Sequence, residues 1–493
     1  MKHVLAIDEG TTSTRCLVIS SNGEIVGRGS REITQYFPRP GWVEHDASEI
    51  FDKTIEAGRE AVAKSGVIPD SIGITNQRET VVIWDRRTGE PLSRAIVWQD
   101  RRTAERCRAL AASAPWISDR TGLPIDPYFS GTKLELMLRD EKVVKLLESG
   151  DVLAGTMDTW LIWKLTDGAV HATDPTNASR TLLFDIDARG WSDELCALLN
   201  VPASVLPDVR KSSGDFGTSP ARHFGTDIPI CGVAGDQQAA LFGQGCFNAG
   251  EGKNTYGTGA FLLLNTGDKR PAPGEGILAT VACNAAGDYA YALEGSIFIA
   301  GAAIQWVRDG LGLVEVAAES EELARSIQSN DGVYFVPALT GLGAPHWEPE
   351  ARGTIVGLTR GSTRAHIVRA ALEAMAYGTR DVLIAMGERS GVAFDRLRVD
   401  GGASVNDWLM QFQADVIGVP VERPEIVETT SLGAAGLAGI ASGVWKDADS
   451  FHSTGRYTTF DPSIGEADRS KLVRGWERAI GASLHWARSP ENK

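Results

Sequence analysis

Two periodicities share this chain. Between residues 4 and 19, two apolar runs of strand composition flank a tight turn with Gly10 and the hydroxyl residues Thr11, Thr12, Ser13 and Thr14, and Asn22-Gly23 supplies the next hairpin turn. A helical period follows. Ile50, Phe51, Ile55 and Val62 fall on one face, behind a capping-box-like start at Asp46 and Glu49. Strand patterns return at 71–75 and 80–84, with the polar quartet Asn76, Gln77, Arg78 and Glu79 between them, and a short one at 95–98. Asp126, Pro127 and Tyr128 precede a helix expected at 132–148, and the apolar run 228–235 ends in Asp236, Gln237 and Gln238, with a helix beginning at Ala239.

The pattern then restarts. Residues 254–267 repeat the opening, with a Gly/Thr turn at Gly257, Thr258 and Gly259, an apolar strand through Phe261 and a turn containing Asn265. Such an echo predicts an internal duplication, with domains at 1–245 and 246–493. In the second half the pattern predicts helices at 296–311, containing Gly301 and Gln305, and at 363–389. A strand then opens into Asp400, Gly401, Gly402 and Ala403, with Asn406 in the first turn of the helix behind it. The tail after Lys446 carries no feature with chemical meaning.

Composition narrows the function classes. With 43% hydrophobic and 23% charged residues the chain is globular, and its net charge of −15 argues against nucleic-acid or anionic-membrane partners. No apolar run approaches the roughly 20 residues of a spanning helix, which argues against stable membrane insertion. The six cysteines form no Cys-x-x-Cys pair and read as reduced thiols, hence a cytoplasmic location. The eight histidines show no metal-ligand spacing, and the glycosylation sequon at Asn177 is a chance match without a secretory route.

Several strand ends offer related chemistry. Backbone N–H groups and hydroxyls in the two Gly/Thr turns can replace water around phosphate oxygens, Asp8 can hold the water shell of a cation, and Arg15 adds positive charge. An ordinary hairpin turn satisfies the same pattern. Asp236 at a helix start can stay ionised and accept a proton from an alcohol, or serve as a plain cap. Arg78 beside Glu79 offers a donor fork next to an acceptor, suited to a small polyol, or forms a surface ion pair. Trp98, Tyr128 and Phe261 supply apolar walls or core packing. Gly402 leaves room for a flat base, and Asn406 can bond its edge.

The segments 8–13, 73–80, 125–133, 235–244 and 253–259, with the second signature at 353–358 and 366–373, resemble the FGGY carbohydrate kinases of the actin-like ATPase superfamily, in particular their glycerol-phosphorylating members. The resemblance runs from residue 1 to about 445. It implies an α/β fold of two ribonuclease-H-like domains with an interdomain active-site cleft, and ATP-dependent phosphorylation of glycerol to sn-glycerol 3-phosphate, the first step of glycerol catabolism. Another small polyol or a ketose is the alternative acceptor. A nucleotide-switched chaperone or filament protein of the same superfamily would lack an acceptor pocket. Carried over, the family pattern implies that Arg78, Glu79, Tyr128, Asp236 and Gln237 bind glycerol, with Trp98 and Phe261 along its carbons and Asp236 as the base. It gives ATP to Thr11, Thr12, Ser13 and Arg15 from one half, and to Thr258, Gly301, Gln305, Gly402 and Asn406 from the other. Asp8 would anchor Mg²⁺ through water, and the assembly would be a homodimer or homotetramer.

Four departures accompany the resemblance. Glu9 stands where the family usually has Gln and is expected to point away from the phosphate turn; Leu136 stands where Trp is usual and affects packing. Asp227 replaces the arginine of a loop that binds fructose 1,6-bisphosphate in some bacterial members, which removes the basis for that inhibition. His223 lies in a segment similar to one phosphorylated in some relatives, but one residue shorter and without its tyrosine, so a solvated loop histidine is the simpler expectation.

Overall fold

The computed structural model describes residues 1–274 and 276–489. Two continuous apolar runs form β1 (His3–Glu9) and β2 (Ser13–Ser20), an antiparallel hairpin with Asp8 opposite Arg15 and Glu9 opposite Thr14. β3 (Ile25–Glu32) extends it antiparallel, whereas β4 (Ser71–Asn76) joins the other side of β1 in parallel. A short edge strand β5 (Thr218–Ser219) and β6 (Ile228–Gly235) complete a sheet ordered β5-β6-β4-β1-β2-β3. The parallel members are covered on both faces, so they read as continuous apolar runs.

The second half builds the same arrangement again. β7 (Glu251–Tyr256) and β8 (Ala260–Gly267) form the hairpin; β9 (Ile277–Cys283) and β10 (Tyr289–Ile297) extend it antiparallel. β11 (Arg396–Gly401) and β12 (Val421–Pro424) run parallel beyond β7, and β13 (Tyr457–Phe460) closes the edge. Both sheets thus contain three antiparallel strands followed by two parallel ones, the ribonuclease-H-like topology in duplicate, with β9 a fourth antiparallel strand at the edge of the second.

Several expected boundaries move. The 132–148 helix is two helices, Ser130–Leu138 and Glu141–Glu148, because Asp140 leaves the helical path and its side chain accepts from the Lys142 N–H as a new cap. Residues 296 and 297 are strand, paired with Phe261 and Ala260, and the helix starts only at Gly301 (Gly301–Asp309). The strand at 95–98 shrinks to Ala95–Ile96. Asp46 caps helix Ala47–Ser65 by accepting from Ser48 and Glu49, while the Glu49 carboxylate turns to Thr34 instead of closing a box. The tail is built into the fold: helix Glu466–Ala487 buries Trp476, Ala479 and Ile480 in the second core.

One element crosses between the halves. Helix Thr429–Ala441, rich in Gly and Ala, lies against β1, β4 and β6 and against helix Asp236–Gly243. Its closeness depends on absent side chains: a Cβ on Gly433 would sit 1.8 Å from the Ala239 carbonyl oxygen, and one on Gly73 2.1 Å from that of Ala434.

Candidate active site

The first turn follows β1. Gly10 N–H donates to the Ser13 carbonyl at 3.0 Å, closing the turn, while Thr14 faces inward and shares a hydrogen bond with Thr54. Thr11 and Ser13 are half-buried and Thr12 is exposed, so all three border solvent. Asp8 accepts from Ser431 Oγ at 3.1 Å, a bond from the crossing helix. Burial pushes its carboxyl up to about 6; Ser431 and the facing Arg15 oppose that rise, and Asp236 adds to it. Among the described residues no cluster of three or more His, Cys, Asp or Glu could cage a metal. A single carboxylate fits a hard cation that keeps most of its waters and takes its remaining ligands from phosphate.

The residues expected to bind the acceptor gather beside this turn. Trp98 donates its Nε1–H to Thr11 Oγ1 at 2.9 Å, and its ring meets Tyr128 edge to face at 5.6 Å, so one apolar wall is tied to the turn itself. Arg78 and Glu79 lie between β4 and strand Val81–Asp85 of a neighbouring four-stranded sheet. Glu79 holds φ at 61°, an uncommon value for a side-chain-bearing residue, and its carbonyl accepts from Ser130. Asp236 is the first residue of helix Asp236–Gly243, not the residue before it. Its Oδ1 accepts from the Gln237 N–H at 2.7 Å and lies 3.2 Å from Arg78 Nε; among the described residues no hydrogen bond reaches its Oδ2. Gln237 Oε1 accepts from Lys253 Nζ at 2.5 Å; burial lowers the pKa of that ammonium, against the pull of Asp400, Asp236 and Glu294.

The remaining predicted residues form a second group. Thr258, Gly301, Gln305, Gly402 and Asn406 line one cavity of about 590 Å³, whose apolar walls include Ile304, Leu372 and Met375. A cavity of this size and character suits a small ligand with a flat apolar part and a polar rim. Gly301 cannot carry a side chain, since a Cβ would sit 2.6 Å from the Gly257 carbonyl oxygen. Asn406 is the cap of helix Asp407–Ile417, its Oδ1 accepting from the Leu409 N–H, so its side-chain NH₂ is what remains for a ligand. Phe261 is half-buried on β8 opposite Thr255, and no ring contact among the described residues joins it to Trp98 or Tyr128. Nor, among the described residues, does any hydrogen bond link the Thr11 turn to the Thr258 turn.

Other polar residues of the site escaped the sequence analysis. Glu294 clasps Arg78, Arg180 bonds both Glu79 and Glu294, and Lys133 donates to the Tyr128 carbonyl at 2.9 Å. Against the upward push of burial, Arg180 and Arg78 hold Glu294 down to about 2, whereas burial lowers Lys133 to about 7. A strand period or an apolar helix says nothing of which charges it will bury. Lys133 and Glu135, both buried on the helix Ser130–Leu138, are charges visible among its apolar residues.

The departures also resolve. Glu9, following Asp8 on β1, is fully buried, its Oε1 accepting from Gln77 Nε2, and burial pushes its carboxyl well up. Asp227 accepts from the Ala221 N–H and so caps the short helix Ala221–Phe224. His223, expected to be solvated, has 7% side-chain exposure with Nε2 buried, and packs edge-on against Phe51. Leu136 is exposed. All six cysteines are free thiols, and among the described residues no helix is long and apolar enough to cross a membrane.

Two ribonuclease-H-like sheets, a Gly/Thr turn at the same place in each, and a half-exposed carboxylate with a cluster of buried charges beside one of them define a two-lobed phosphotransferase of the actin-like ATPase fold. The chain belongs to the FGGY family of carbohydrate kinases: the model of that family's N-terminal domain matches residues 3–243 and that of its C-terminal domain residues 252–442. It is 53% identical over 493 residues to glycerol kinase 2 of Thermotoga maritima, with 99% of each chain covered. The crystal structure of Plasmodium falciparum glycerol kinase with ADP superposes with a TM-score of 0.94 at 37% identity, covering 98% of each chain. A ligand-bound xylulose kinase from Lactobacillus acidophilus shares the fold, with a TM-score of 0.87 at 21% identity and 99% of each chain covered.

Proposed function

We propose that this protein transfers the γ-phosphoryl group of ATP to a primary hydroxyl of glycerol, giving sn-glycerol 3-phosphate and ADP. The observation that carries this reading is the Asp236 carboxylate. It is fixed through Oδ1 by Gln237 and Arg78, its side chain is 34% exposed, and Oδ2 is left to take a proton. The acceptor oxygen bonds to the γ-phosphorus as the bond from that phosphorus to the bridging oxygen breaks, and the alcohol proton passes to Asp236. Arg78 donates to one glycerol hydroxyl and Glu79 accepts from another; Gln237 and Tyr128 complete the polar contacts, and Trp98 and Phe261 lie along the carbons. Thr11, Thr12, Ser13 and Arg15 hold the phosphates from one side, while Thr258, Gly301, Gln305, Gly402 and Asn406 hold the nucleotide from the other. Magnesium, anchored through water at Asp8, would neutralise phosphate charge. Approach of the lobes would exclude water, which otherwise competes with glycerol for the phosphoryl group.

The name shared by the full-length relatives supports glycerol over longer sugars, and so does the aromatic wall of Trp98 and Tyr128 beside the Arg78 and Glu79 pair. We place the enzyme in the cytoplasm as a homodimer or homotetramer, which light scattering on the purified protein would check. The functional test is product formation from Mg-ATP with a panel of polyols and ketoses. Glycerol should give the highest kcat/KM; a ketose or longer polyol turned over faster would replace it as the acceptor.

A further inference from the structure

The charges around Arg78 come from separate stretches of the chain and form a closed set. Glu294, on β10 of the second half, clasps the end of the Arg78 guanidinium: Nη1 donates to Oε2 at 2.6 Å and Nη2 to Oε1 at 3.0 Å. Nη1 also donates to Gln238 Oε1 at 3.2 Å. Arg180 donates Nε to Glu79 Oε1 at 2.6 Å and Nη2 to Glu294 Oε1 at 3.3 Å. Arg78, Arg180, Glu79 and Glu294 are all buried, and together they are neutral. Such a set is poor glue, because apolar side chains of similar volume stabilise an interior as well or better. Its geometry offers a different use. A guanidinium is a rigid planar fork of five N–H groups, and the outer N–H of Nη2 shares an edge with Nε–H. Glu294 and Gln238 occupy the end and the Nη1 side. On the remaining edge Nε faces Asp236 Oδ1 at 3.2 Å, and among the described residues the outer N–H of Nη2 is the Arg78 donor that no hydrogen bond engages.

We propose that Glu294 is a positioning residue for the acceptor: by occupying the end of the Arg78 guanidinium it leaves only the Nε/Nη2 edge, so the hydroxyl region that Arg78 binds is held beside Asp236. Arg180 keeps Glu294 and Glu79 in register. The inference rests on the glycerol reading and deepens it, because it assigns how the site selects between glycerol's two primary hydroxyls. These are chemically identical and differ only in their placement on a prochiral carbon, so selecting one requires a donor edge fixed in direction. Without the Glu294 clasp the guanidinium can turn and present a second edge. Either arm of the triol then reaches Asp236, and the mirror-image product forms alongside the first.

The test is Glu294→Gln, compared with the unaltered protein for the KM of each substrate and for the enantiomeric composition of the glycerol phosphate, read by stereospecific enzymatic oxidation. The KM for glycerol should rise about tenfold or more, the size expected when a charged hydrogen bond is disturbed, with the KM for ATP changed by less than about twofold. The mirror-image ester should become measurable. A Glu294→Gln protein that makes a single enantiomer at an unchanged glycerol KM overturns the role of Glu294. Should that variant fail to fold, as judged by far-UV circular dichroism and ADP binding, Glu294→Asp decides. It keeps the charge but is one methylene short of the clasp, so it should show the same changes in smaller degree, and wild-type selectivity and KM in it overturn the proposal. Absence of glycerol turnover in the unaltered protein would instead sink the functional reading itself.

Discussion

The two hairpins, β1–β2 and β7–β8, hold the same place in the same sheet topology, yet their chemistry differs at the matching position. The cross-strand pair one step before the turn is Asp8 with Arg15 in the first and Thr255 with Phe261 in the second. The first turn borders buried carboxylates and ties a tryptophan through Thr11. The second has neutral residues at its tip, and its Gly257 and Thr258 carbonyls accept from the N–H groups of Ala300, Gly301 and Ala302. Duplication has copied a backbone geometry without its charges. On the proposed reading, proton and phosphoryl chemistry falls to the first lobe, while the second presents an apolar-walled cavity.

If labour is divided in this way, substitutions in the two lobes should separate by substrate. The largest effect belongs to Asp236→Asn, which should lower kcat with glycerol by about 10²- to 10⁴-fold at an unchanged affinity for ATP, in a coupled ADP-release assay. Near-normal kcat would remove the base from the first lobe. Next is Arg78→Ala, expected to raise the KM for glycerol by roughly 10- to 150-fold, from the loss of a charged hydrogen bond worth about 1.5–3 kcal/mol, with little change for ATP. An equal rise for both substrates would reduce Arg78 to a structural partner of Glu294. In the second lobe the signs reverse. Asn406→Ala removes the side-chain NH₂ left for a ligand beside the cavity, a hydrogen bond worth about 1 kcal/mol, so the Kd of a non-hydrolysable ATP analogue, by calorimetry, should rise roughly fivefold while kcat holds. The smallest effect is expected for Phe261→Leu: loss of an aromatic wall worth about 0.5 kcal/mol should raise the glycerol KM roughly twofold, and a change in ATP affinity instead would move Phe261 to the nucleotide side.

Much of this architecture was legible because strand alternation and Gly/Thr turns are local signals. The hairpins at Asp8 and Thr258, the strand ending at Asp236 and the glycine turn at Gly402 all follow from neighbours in sequence. The errors came where distant pairing decides. Residues 296 and 297 look helical on their own, and only the ladder with Phe261 and Ala260 holds them extended. Glu294 lies 216 residues from Arg78, and Arg180 lies 101 from Glu79, separations at which no periodicity speaks. The tail was different. Val473, Trp476, Ile480 and Leu484 recur at helical spacing, a signal present in the sequence that the search for chemistry passed over.

The crossing helix Thr429–Ala441 also sets a schedule for synthesis. Val4, Ala6, Leu17 and Ile19 of the first sheet share a core with Ala435, Leu437, Ala438, Trp445 and Phe451, all from near the end of the chain. At roughly 5–20 residues per second, the ribosome needs roughly 10–40 s after residue 245 before that cover emerges. Through this interval the first lobe is a finished sheet with one open apolar face. It is the earliest part of the enzyme to be made and among the last to be sealed.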